Sequence, residues 1–200
     1  MTVEQAAAFI SFSFVAAVTP GPSNVMLTAT GAAGGMLRGL PALVGVGAGM
    51  AAMLFAVAMG LGAIVLGRAT LLVVIKWAGA AFLLWLAWKI ASAPIDQGGD
   101  ARGERRITGF AGAFALQWLN PKAWLVCTGA SAAYLRPDEP MLQQALQIAA
   151  MFFIVTLPCG FVWLGFGMGA RRLLAAPKFQ RGFNVVMGLL LAGSVVPLLI

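Results

Sequence analysis

The sequence predicts an all-α membrane protein of six transmembrane helices arranged as two inverted three-helix repeats. Three observations carry this. The 200 residues are 61% hydrophobic and 10% charged, whereas soluble domains carry about 25% charged residues. Six apolar segments can be marked out, and a span needs roughly 20 such residues. The first and fourth segments are broken near their centres by proline motifs, one on each side of a polar linker at the chain's midpoint.

The first segment runs from about 8 to 30 and follows Met1-Thr2-Val3-Glu4, which places no basic residue ahead of the apolar run; it reads as a span, not a cleaved signal peptide. Thr19-Pro20-Gly21-Pro22 interrupts it. The second, about 40–66, carries Gly45, Gly47 and Gly49 among Ala48, Ala51 and Ala52, small residues that let helices approach closely. The third, about 70–91, has Lys76 and Lys89 near its ends, where long stems snorkel to the interfaces beside Trp77, Trp85 and Trp88.

The fourth segment, about 108–133, contains Asn120-Pro121-Lys122, flanked by Trp118 and Trp124, which read as packing or interface residues. Arg136, Asp138 and Glu139 then form a short solvated turn. The fifth, about 141–169, carries Gly160, Gly165, Gly167 and Gly169, again read as packing positions, and the sixth covers about 180–199. Cys127 and Cys159 lie inside apolar segments and read as small packing residues.

Between the third and fourth segments lies Ser92 to Arg106, SAPIDQGGDARGERR, the only linker-like stretch. The chain therefore reads as a single transmembrane domain over 1–200, with one repeat over about 1–91, the linker at 92–106 and a second repeat over about 107–200. Three spans per half send the second half into the bilayer from the opposite side.

The net charge of +7 follows this topology. One side receives Arg38, Lys89, Arg102, Arg105, Arg106, Arg171, Arg172, Lys178 and Arg181; the other receives Arg68, Lys76 and Arg136. Lys and Arg accumulate in cytoplasmic loops, so the linker is expected inside and both termini in the periplasm. Loops this short do not build the folded basic surface that nucleic acid requires.

Function is expected at the two breaks. Lys122 is the one charge deep within an apolar segment, and a cation at the bilayer centre costs about 3 kcal/mol on insertion scales, so it persists beside a cavity or a partner. Thr19-Pro20, Gly21-Pro22 and Asn120-Pro121 each spell a helix start, and helix starts attract carboxylates through free N–H groups and the dipole. The expected substrate site is therefore Thr19, Pro20, Gly21, Pro22, Ser23, Asn24, Gln117, Asn120, Pro121 and Lys122. The plainer alternatives are proline kinks without further role, a lysine that snorkels, and Ser23 and Asn24 as local caps.

The chain has no histidine, and no Asp or Glu falls within a span. That removes the usual ligands of a catalytic metal and the usual carboxylate proton relay; no cofactor or metal is expected, nor an enzyme. No Gly-Lys-Ser/Thr motif appears, so transport would be secondary. A membrane-embedded enzyme or lipid-handling protein and a passive channel stand as the alternatives.

The run TPGPSNVML at 19–27, Arg38-Gly39, GVGAG at 45–49 and ALQWLNPKAWL at 115–125 resemble the lysine exporter (LysE/RhtB) family of amino-acid exporters. The segment KWAGAAFLLWLAWKIASAP at 76–94 is similar to the subgroup exporting cysteine and O-acetylserine. The resemblance implies a six-span exporter in the bacterial inner membrane, driven by the proton gradient, with Pro20, Gly21, Pro22, Asn120, Pro121 and Lys122 lining the path. Its partners would be an amino acid or derivative, protons and the lipid bilayer, with a homo-oligomer left open. Some relatives carry an acid directly after Pro-Gly-Pro where this chain has Ser23-Asn24, which favours a neutral or zwitterionic substrate over a cationic one.

Overall fold

The computed structural model of the chain describes residues 1–92, 108–173, 177–193 and 195–196. Among these residues every regular element is helical. Helix α1 (Val3–Val18) begins on a reciprocal cap: Gln5 N donates to Thr2 Oγ1 at 3.2 Å and Thr2 N to Gln5 Oε1 at 3.1 Å. It stops at Thr19, whose extended backbone (φ −63°, ψ 130°) is what a following proline favours.

Helix α2 (Pro22–Ala56) is continuous in hydrogen-bonding pattern but not in direction. Gly35 sits at φ +75°, ψ −175°, a conformation open to glycine and strained for other residues. Contacts with α7 (Met141–Leu173) reveal the reversal. Before Gly35, position advances together on both helices, with Leu27 near Gly160, Thr28 bonded to Trp163 O, and Gly31 against Leu164 and Met168. After it the order inverts: Gly39 meets Leu164, Leu43 meets Gly160, and Gly47 meets Phe153 and Leu157. The two arms of α2 thus form a helical hairpin clasping α7.

A π-helical turn (Val57–Leu61) with Gly60 at φ +109° and the short helix α3 (Gly62–Leu66) lead into α4 (Ala69–Ala91). The second half supplies α5 (Phe110–Leu119), α6 (Pro121–Tyr134), α7 and α8 (Pro177–Gly193). The α6–α7 loop is pinned by buried Gln144, which accepts from Arg136 N at 2.8 Å and donates to the carbonyls of Arg136 and Glu139. Its charged tip is a solvated turn as expected. Arg136 pairs with Asp138 at 2.9 Å, and this hydrogen bond holds the Asp138 carboxyl below its ordinary pKa. The Met1 ammonium lies 3.7 Å from Glu139, so the amino terminus and this loop share one face of the molecule.

Two apolar clusters make the core. Leu27, Leu43, Val46, Leu83, Leu116 and Leu191 join α2, α4, α5 and α8; Phe9, Met53, Cys127, Ile148 and Phe152 join α1, α2, α6 and α7. The outer surface is equally apolar: Trp77 is 59% exposed, Leu125 72% and Trp88 74%. Side chains of this kind fit a hydrocarbon solvent. By length and composition Pro22–Val65 and Met141–Ala170 qualify to cross a membrane, the former folding back on itself at Gly35.

The third and fifth expected segments match α4 and α7 closely. The first is two half-helices, and the expected gap between first and second is helical apart from Gly35, because one residue in a left-handed conformation turns the chain without a loop. Gly45, Gly49, Gly160 and Gly167 pack as expected, with backbone or side chains where a Cβ would sit. Gly165 and Gly169 are not closely packed: a Cβ at Gly165 would meet only the flexible end of Met36 of α2, at 3.5 Å, and one at Gly169 nothing within 4 Å. Cys127 and Cys159 are free and buried. Lys89 Nζ lies 4.5 Å from the Trp85 ring centroid. The expected linker lies, beyond Ser92, outside the described residues.

Candidate functional site

The second break is built as its sequence predicts. Asn120 is the N-cap of α6, with Lys122 N donating to its Oδ1 at 3.1 Å and Pro121 at the first helical position, where the missing N–H costs nothing. Ala123 N donates to Asn120 O at 2.9 Å. Gly79 of α4 allows this break to be covered, since a Cβ there would stand 2.6 Å from Leu119 O.

The first break corrects the sequence reading. Thr19-Pro20 is not a helix start; Thr19 closes α1, its N–H and hydroxyl both donating back to Val15 O, and α2 begins at Pro22 with Gly21 as N-cap. The cause is the second proline: Pro22 at the first helical position needs an extended residue before it, and Gly21 supplies φ −175°, ψ 179°. Gly21 has no side chain with which to cap α2.

The two breaks meet. Ser23 Oγ donates to Gln117 Oε1 at 2.8 Å, and Asn120 Nδ2 donates to Ser23 Oγ at 3.3 Å, joining residues 94 and 97 positions apart. Gln117 Nε2 is held by Ala113 O at 2.9 Å. Asn24 turns back to α1, its Nδ2 donating to Ala17 O and Thr19 O, each at 2.9 Å. Asn24, Gln117 and Asn120 are buried.

Lys122 reaches across the same junction. Its Nζ donates to Thr19 O at 2.7 Å, a carbonyl left over at the end of α1. In this conformation the ammonium stands on the negative end of a half-helix, a favourable place for a cation. The stem lies over Gly21, where a Cβ would be 3.0 Å from Lys122 Cδ and 3.4 Å from Nζ.

These groups surround a cavity of about 40 Å³ at the seam between the two core clusters. Gly21, Pro22, Ser23, Asn24, Gln117, Asn120 and Lys122 line it; Thr19, Pro20 and Pro121 do not, Thr19 taking part through its carbonyl alone. The rest of the lining is mainly apolar, with Leu27, Val46, Met50, Val126 and Phe152, and with Thr156 as a polar exception. By the space one water needs, this is room for roughly three. A carboxylate or an ammonium fits; a whole amino acid requires the walls to part.

A pocket fed by broken helices from both halves is the arrangement of a carrier, and comparison with known proteins agrees. The LysE type translocator family matches residues 14–200. The chain belongs to this family. Among similar proteins are the cysteine/O-acetylserine efflux proteins of Escherichia coli (strain K12), Shigella sonnei (strain Ss046) and Salmonella choleraesuis (strain SC-B67), each 28% identical over 192 residues that cover 96% of this chain and 95% of theirs. No solved structure matches the chain.

Sequence reasoning missed the part of this translocator's cavity that lies outside the two motifs. Met50, Phe152 and Thr156 carry no motif, and their relation to residues 21–24 and 117–122 exists only once α2 and α7 pack. Thr156 alone left a trace, as a hydroxyl within the apolar run FFIVTLP. Trp118 and Trp124 are a packing pair, edge to face at 6.3 Å, with Trp124 Nε1 donating to Trp118 O.

Proposed function

We propose that this chain is a secondary exporter of amino acids or small amino-acid derivatives with neutral side chains across the bacterial inner membrane, in the class of the cysteine/O-acetylserine efflux proteins it resembles. The observation that carries the reading is the meeting of two helix breaks, one from each half of the chain, around a cavity crossed by Lys122. Zwitterionic cargo suits the lining. Its carboxylate takes the Lys122 ammonium from Thr19 O and approaches the N-terminus of α2, which lacks a side-chain cap. Its ammonium takes the acceptors so released.

Two inverted three-span repeats underlie this reading, α1 with the two arms of α2 and α4 answering α5, α6, α7 and α8. The packing supports the symmetry: α2 lies on α7 and α4 on α8, each against its counterpart, while the contact of α2 with α5 is answered by that of α7 with α1. Both termini are assigned to the periplasm and the 92–106 linker to the cytoplasm, from the distribution of Lys and Arg. Proton antiport is the assigned coupling. Lys122 is the sole titratable side chain lining the cavity among the described residues, and so the candidate carrier.

The test is efflux from loaded proteoliposomes with and without an imposed pH gradient. Wild-type protein should export a small neutral amino acid faster when the gradient is present. Lys122→Ala should lose export by at least tenfold while inserting normally, because it deletes the cargo's charged partner and relieves a burial cost. Wild-type rates in well-inserted Lys122→Ala protein would sink the assignment of the site.

A further inference from the structure

The polar side chains lining the cavity come from the two helix breaks, with one exception. Ser23, Asn24, Gln117, Asn120 and Lys122 gather at the helix breaks, and their groups are taken up with one another or with carbonyls of α1 and α5. Away from the breaks in sequence, α2 and α7 add Val46, Met50 and Phe152 to the lining. Thr156 stands among these, 5% exposed, its hydroxyl donating to Phe152 O one turn back at 2.8 Å.

That bond spends the hydroxyl's proton within the helix and leaves the oxygen as an acceptor. A threonine needs no cavity to make it. In a wall that is otherwise hydrocarbon, however, an oxygen with spare lone pairs is the one feature that distinguishes side chains by hydrogen bonding rather than by size. Gly160, one turn further along α7, also lines the cavity and is filled by Leu27 and Leu43, so the floor beside Thr156 is closed to long side chains.

We infer that Thr156 is the specificity-determining residue of the cavity, its hydroxyl oxygen accepting a hydrogen bond from a substrate side chain that is short and ends in a donor, a hydroxyl or a thiol. This rests on the exporter reading and refines it. With the α-carboxylate and α-ammonium at the helix breaks, the side chain points to the α2–α7 wall. A methyl in place of the donor leaves the acceptor unpaired, and discrimination by hydrogen bonding follows from that penalty.

L-Serine and L-2-aminobutyrate test this, being of nearly equal size with a hydroxyl exchanged for a methyl. Their efflux rates are compared from proteoliposomes holding wild type, Thr156→Val, Thr156→Ala and Thr156→Ser, with insertion checked by size-exclusion chromatography. Wild type should favour serine by about fivefold, the worth of one hydrogen bond. The ratio should fall toward one in the Val and Ala variants and return in the Ser variant. Should the Val protein fail to insert, the ratio is read on the Ala protein, which asks less of the packing. A ratio unchanged by loss of the hydroxyl, or both rates falling together with the ratio intact, overturns the inference and makes Thr156 a packing residue. Wild type carrying both compounds equally overturns it too, while leaving the exporter reading standing. Wild type carrying neither, nor any other small neutral amino acid, refutes the exporter reading itself and this inference with it.

Discussion

Asn120 does two separable things, and substitution can divide them. Its Oδ1 caps α6 through Lys122 N at 3.1 Å, and its Nδ2 reaches Ser23 Oγ at 3.3 Å in the other half of the chain. Replacing an N-cap Asn by Ala costs about 1 kcal/mol, and hydrogen bonds between helices in a membrane average about 0.6 kcal/mol. Asn120→Ala should therefore cost about 1.6 kcal/mol, which at 2–4 °C per kcal/mol for a chain of this size lowers Tm by roughly 3–6 °C. Asn120→Ser keeps a capping oxygen but is too short to bridge to Ser23, so only the second loss remains, about 1–2 °C on the same scale. Thermal unfolding in detergent, followed by circular dichroism, reads both. A double-mutant cycle with Ser23→Ala isolates the bridge, with an expected coupling of about 0.6 kcal/mol. Equal destabilisation by the Ala and Ser variants would show that the cap contributes nothing, and strict additivity with Ser23→Ala would show that the two halves are not joined at this atom pair.

The glycines of α7 should respond according to what faces them. Gly167→Ala places a methyl on the Thr28 carbonyl and should lower stability by about 1–3 kcal/mol, whereas Gly169→Ala meets open space and should raise it by about 0.5–1 kcal/mol; equal effects in thermal unfolding would contradict the α2–α7 clasp. Topology is checked with single cysteines in a background where Cys127 and Cys159 are replaced. Positions 2 and 138 should label from outside intact cells and position 37, at the exposed tip of the α2 hairpin, only from inside; labelling of 2 and 138 from opposite sides would contradict the fold, and of both from inside the assigned orientation.

The breaks were legible because proline and glycine act locally. Pro22 and Pro121 fix helix starts wherever they occur, and a lysine in an apolar segment signals a cavity without reference to any neighbour. What Lys122 touches was not legible, because Thr19 O lies 103 residues away and its availability depends on α1 ending at Val18 with Thr19 as its C-cap. The double-proline motif permitted helix starts at Pro20 or Pro22, and only the backbone of Gly21 shows which is used. The hairpin at Gly35 had a signal, Gly34-Gly35 between apolar runs, but nothing in the sequence says that a single residue suffices to reverse the chain. Thr156 and Met50 enter the site through packing of α7 against α2, which leaves no motif behind.

Each polar side chain around the cavity is already satisfied in this conformation. Ser23 has Gln117, Asn24 has two carbonyls of α1, Asn120 has Lys122 N and Ser23, Lys122 has Thr19 O, and Thr156 has Phe152 O. At the helix breaks anything that enters must trade partners instead of claiming unmet ones, the Thr156 oxygen alone accepting without a trade, and when bonds broken and bonds made are nearly equal in number the difference left over is small. Emptiness is then not a strained condition, and occupancy is not a deep well. For a protein that delivers what it picks up, shallow attachment is as necessary as recognition, since a passenger held too firmly never disembarks.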